Sequence, residues 1–93
     1  MPTTISTLTL RERHYSAVRA LAALLVRVCR GGRCVEARYR WIRGLLESLP
    51  LATNEFALAV NRLNNGRRHA LEGETGAALY ELQMLLRSLV LCK

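Results

Sequence analysis

Gly31–Pro50 reads GGRCVEARYRWIRGLLESLP, and the class of fold turns on it. Its two glycines readily take the left-handed conformation that ends a helix, and its proline stops another. Between them Val35, Tyr39, Ile42, Leu46 and Leu49 recur at helical spacing. Glu36–Arg40 and Arg43–Glu47 are i,i+4 pairs on the opposite side. Each such pair is worth only about 0.3 kcal/mol, so they mark a solvent face rather than hold the fold. The stretch is an amphipathic helix over residues 33–49, bounded by turns at both ends.

The same pattern extends outward in both directions. Upstream, TLRE puts Thr9 three residues before Glu12, a capping box at a helix start. Leu10, Ala17, Val18, Leu21, Leu24, Leu25 and Val28 then form a stripe, with Arg19, Arg27 and Arg30 opposite, giving a helix over 10–30. Downstream, Thr53 or Asn54 in ATNEF is placed to cap a third helix over 54–72, and Glu55 suits its positive end. Its stripe is Phe56, Ala59, Val60, Leu63, Ala70 and Leu71, which stays in phase across Asn64–Gly66. That NNG is therefore read as a weak spot inside one helix, not a break. EGETG makes the next turn, and Ala78, Leu79, Leu82, Leu85, Leu86 and Leu89 line a fourth helix over 76–91. Strand alternation is absent. The expected fold is all-α, a single domain of four helices in two antiparallel hairpins, either TPR-like (tetratricopeptide) or a four-helix bundle.

Composition adds a constraint. In 93 residues 51% are apolar, whereas a chain this short hides only about 60–65% of its surface. The surplus predicts a partner or self-association. Ala77, Tyr80, Met84 and Leu91 lie across the last helix from its main stripe, and a helix apolar on two sides is normally sandwiched. Trp41, Phe56, Tyr80, Met84 and Leu91 are thus the candidate partner-binding residues, with an amphipathic helix or a second copy of the chain as occupant. In isolation such a chain is expected to dimerise or precipitate.

Gly32–Pro50 also echoes Gly73–Leu91 at an offset of 41 residues: Gly32 with Gly73, Ala37 with Ala78, Trp41 with Leu82, Leu45 with Leu86 and Leu49 with Val90. A glycine turn, a small residue at a close crossing and a large residue between helices resemble the TPR helical hairpin. In the first unit the resemblance rests on Gly32, Ala37, Trp41, Gly44 and Pro50; in the second it rests on Gly66, Gly73 and Ala78. The offset exceeds the usual 34 residues, and two units fall short of the three or so that an array needs. Pro50 also sits one residue late, and Gly44 replaces the customary alanine. In size and layout the chain is similar to the TPR-like co-chaperones of type III secretion needle subunits. That resemblance implies a small cytoplasmic chaperone or adaptor gripping an amphipathic helix, and it assigns no individual contact residue.

The net charge of +7 comes from thirteen Arg and one Lys against seven Glu. Residues 1–50 carry nine Arg and three Glu, so the basic surface lies mainly on the first half. Arg19, Arg27, Arg30, Arg33, Arg40 and Arg43 form a candidate phosphate-binding set, which makes a small basic nucleic-acid-binding protein the alternative function. Six phosphate contacts would give a log–log salt slope of roughly −5. No helix-turn-helix or zinc pattern supports base readout. A self-associating structural bundle is a third reading.

Cys29, Cys34 and Cys92 are an odd set with His14 and His69 as the only histidines, so neither a metal site nor a cofactor is expected. His14 flanks the first apolar stripe and reads as a structural histidine; His69, after two arginines, reads as exposed. The chain has no Asp, no grouped carboxylates and no nucleophile–His spacing, which argues against an enzyme. Neither a signal sequence nor a membrane span is apparent, which points to the cytoplasm.

Overall fold

A computed structural model describes residues 8–31 and 36–91. Four helices account for most of them: α1 Leu10–Cys29, α2 Glu36–Ser48, α3 Thr53–Leu71 and α4 Thr75–Leu91. The described residues contain no strand. α1 packs on α2 and α3 packs on α4, each as a hairpin, while α2 meets α3 and α1 meets α4. The first and last helices thus lie side by side and close the four into a ring.

Local chemistry sets the helix ends. Thr9 Oγ1 accepts from the Glu12 amide at 3.2 Å, and the Glu12 carboxylate accepts from the Thr9 amide at 2.9 Å. These two bonds satisfy donors that a helix start leaves open. α3 starts differently from expectation: Ala52, not Thr53 or Asn54, is the cap, and only the return bond forms, from the Ala52 amide to Glu55 at 3.0 Å. At its other end Gly73, with φ +77°, lets its own amide reach the Ala70 carbonyl and the Glu74 amide reach that of His69. This is the Schellman arrangement, open to glycine at no steric cost.

Fifteen side chains among the described residues form the core, centred on Leu21, Leu24, Ile42, Leu45, Leu46, Leu63, Leu82 and Leu85. Tyr39, Ile42, Leu46 and Leu49 are buried as the pattern of α2 requires, with Leu45 joining them; Val35 lies outside the described residues. Leu10 and Leu71 depart from expectation and are exposed. Leu10 is the first residue of α1 and Leu71 the last of α3. Leu71 falls about 100° round α3 from Ala70, which packs against the core, and so turns outward.

Gly66 lies within one continuous helix, as expected, and it has a packing role that the sequence alone did not show. α3 runs unbroken through it and buries it. A Cβ at position 66 would lie 2.8 Å from Cδ2 and 2.9 Å from Cγ of Leu82, itself fully enclosed. The glycine exists to admit that leucine, and with it the close approach of α3 and α4.

Two outcomes follow. Gly66→Ala gains about 1 kcal/mol of helix propensity but overpacks the Leu82 site at about 1–3 kcal/mol. Urea unfolding should show a net loss of about 1 kcal/mol in the parent and a gain in a Leu82→Ala background, where the space is open. Separately, the backbone and then the side-chain hydrogen bonds from Thr9 hold the Glu12 carboxyl below its ordinary 4.5. Its capping contribution is therefore fully present above about pH 4.5 and fades as pH falls through the lowered folded value. Amide-exchange protection of the first turn of α1 should show this step, and Glu12→Gln should abolish it.

Candidate docking face and basic surface

α1 and α4 are antiparallel neighbours, because His14 near the start of one reaches Leu89 near the end of the other. The His14 Nε2–H donates to the Leu89 carbonyl at 2.7 Å. His14 is thus a structural histidine that pins the two helices. On the other flank of α1, Arg13 donates from Nε to the Leu8 carbonyl at 3.0 Å and from Nη1 to the Ser48 carbonyl at 3.5 Å. The α2 side and the α4 side of α1 are fixed by these two contacts.

Toward α4, Val18 and Leu25 are half-buried against the core, as are Leu79 and Leu86 of α4. These four residues form the floor of a shallow apolar face between the helices. At 100° per residue, Tyr15, Ala22 and Val26 fall within about 40° of one another on the outward side of α1. All three are exposed, Tyr15 at 60% and Val26 at 52%. Across from them α4 presents Tyr80, 59% exposed, and Val90, 46% exposed. Scattered exposed apolar residues are ordinary on a monomer. A set of them rimming a half-buried apolar floor along two adjacent helices is the shape that receives a third helix.

The residues expected to bind a partner separate. Tyr80 and Leu91 are exposed on α4, whereas Met84 is half-buried and turned toward the α3 side. Phe56 packs against the core from the start of α3. Trp41 is 39% exposed on the flank of α2, about 140° round the helix from Glu36, which reaches α3. Trp41 and Phe56 therefore line no common groove. Tyr15, Ala22 and Val26 were not among the expected residues. Their spacing of seven and four is visible in the sequence, but they lie outside the α1 stripe, on the side read there as the arginine face.

Charge is partitioned sharply. Each of the four ion pairs among the described residues draws its base from α3: Arg62–Glu81 and Arg67–Glu36 at 3.1 Å, Arg68–Glu72 at 3.8 Å and His69–Glu74 at 2.8 Å. Two expectations change accordingly. Glu36 pairs not with Arg40 but with Arg67 of α3, at 3.1 Å. Nor does Glu47 pair with Arg43. His69 is half-buried and bonded to Glu74 rather than open to solvent.

Arg19, Arg27, Arg30, Arg40 and Arg43 are exposed and enter no ion pair among the described residues; Arg33 lies outside them. Arg19 instead lies over the Tyr15 ring, 5.6 Å from its centroid, and donates to the Tyr15 hydroxyl at 3.4 Å. Cys29 is exposed, and Cys34 and Cys92 lie outside the described residues. A depression of about 770 Å³ opens where α1 begins and α4 ends, lined by Leu10, Arg11, His14, Leu49, Leu51 and Leu89. The His14 imidazole in its lining donates to the Leu89 carbonyl. No helix among the described residues is long and apolar enough to cross a membrane. No family model, no curated protein and no solved structure matches the chain.

Proposed function

We propose that the protein is a non-enzymatic binding module whose α1–α4 face receives an amphipathic helix of another protein. The observation that carries this reading is the exposed rim of Tyr15, Val26, Tyr80 and Val90 around the half-buried floor of Val18, Leu25, Leu79 and Leu86. Burying such side chains returns about 25 cal/mol per Å² of apolar area, which a third helix would collect without reshaping the core. A small cytoplasmic chaperone or adaptor that sequesters an aggregation-prone helix, of the kind that serves a type III secretion component, would use a face of this form.

The unpaired arginines favour a second reading, a basic surface that binds nucleic acid. Arg19, Arg27, Arg30, Arg40 and Arg43 lack the neutralising partners that α3 provides for Arg62, Arg67 and Arg68. This accounts for the charge but assigns no role to the apolar rim, so it ranks below helix docking.

The test uses a labelled synthetic amphipathic helix with uncharged glutamine flanks, titrated with the full chain and followed by anisotropy. Val26→Glu combined with Tyr80→Glu should weaken binding at least about tenfold, a charge being costly against apolar surface. Both positions are exposed, so the melting curve should stay within about 0.5 kcal/mol per substitution. Equal binding by parent and variant would refute the assignment of this face. Tight, strongly salt-dependent binding of duplex DNA with no helix binding would favour the second reading.

A further inference from the structure

We infer that the helix received on the α1–α4 face is acidic, its apolar stripe flanked by Glu or Asp. This rests on the docking reading above and specifies its partner. Arg11 and Arg19 stand on the outward side of α1 beside Tyr15, and Arg87 stands on the outward side of α4 between Tyr80 and Val90 in phase. The antiparallel register set by His14 and Leu89 brings these three toward the same half of the face. None enters an ion pair among the described residues. Both carboxylates on these two helices are already engaged elsewhere. Glu12 caps α1 at Thr9, and Glu81 is held by Arg62 on the flank that meets α3. The face therefore combines an apolar floor with an uncompensated basic margin.

That combination discriminates among occupants. A second copy of the chain offers no free carboxylate from this face, since Glu12 and Glu81 are engaged, so self-association would leave the three arginines uncompensated. Nucleic acid would satisfy the arginines and leave Tyr15, Val26, Tyr80 and Val90 in water. An acidic amphipathic helix satisfies both at once. It would place carboxylates against Arg11, Arg19 and Arg87, where planar guanidinium groups bind them in paired hydrogen bonds.

Three labelled peptides with one shared Leu/Ala stripe and Glu, Gln or Lys flanks would be titrated with the full chain. Each exposed pair is worth a factor of roughly 1.5–5, so the Glu peptide should bind about tenfold tighter than the Gln peptide, with the Lys peptide weakest. Raising salt from about 50 mM to about 500 mM should erase that preference through screening and leave the Gln peptide nearly unchanged. Arg11→Gln with Arg19→Gln and Arg87→Gln should remove the preference for Glu over Gln and Lys flanks. Equal binding of Glu and Lys peptides would overturn the acidic assignment and leave helix docking intact. Failure of all three peptides to bind would overturn both. Displacement of the Glu peptide by duplex DNA at lower concentration would assign the margin to nucleic acid instead.

Discussion

Leu82 occupies the space that any side chain at position 66 would need, and the rest of the molecule is arranged around that fact. With Gly66 beneath it, α4 approaches α3 closely enough to bury Leu82, Leu85 and Leu89 together. The Arg62–Glu81 pair, only about a fifth exposed on each side, then lies along the same seam. α4 is thereby held as one wall of the ring, and α1 must close it from the other side. His14 and the half-buried Val18, Leu25, Leu79 and Leu86 are the groups that do so.

This closure leaves the molecule thin. The Cα atoms span 35 × 33 × 16 Å, so no helix has neighbours on every side. A slab of four helices offers an outward surface on each of them, and apolar residues beyond what the core accepts must appear there. The excess could have been spread evenly. It is instead heavy along α1 and α4, where Tyr15, Ala22, Val26, Tyr80 and Val90 share one side, and lighter on α2, whose outward side carries Arg40, Arg43 and Glu47.

The four helices were legible in the sequence because their stripes, caps and glycine turns all agree, and consistency among such levels is what specifies a fold. The 41-residue echo was legible too, but of its described pairs only Leu45 and Leu86 both pack on the core. Leu82 is fully buried while Trp41 is exposed, and Ala78 is fully buried while Ala37 is exposed. In that register the buried stripe of α2, Tyr39, Ile42, Leu46 and Leu49, falls on the outward face of α4, Tyr80, Gln83, Arg87 and Val90. Helical spacing alone cannot reveal this, since two stripes on one helix differ only in which of them meets a neighbour. The role of Gly66 was hidden for a related reason. A helix-interior glycine looks like a defect until the side chain that fills its place is known, and Leu82 lies sixteen residues away.

Charge completes the division of labour among the helices. α3 supplies the base of every ion pair among the described residues, and in doing so it draws in Glu36, Glu74 and Glu81 from other parts of the chain. Those carboxylates are thereby unavailable to the arginines of the first half. α1 itself carries Arg11, Arg13, Arg19 and Arg27 against the single Glu12, so its bareness follows from that excess as well as from the pairing on α3. Exposed charges of this sort add little to affinity, but they steer approach and reject partners of like sign. An apolar floor provides the opposite, affinity with little selectivity. On the proposed docking, a surface that joins the two would select by charge and hold by burial.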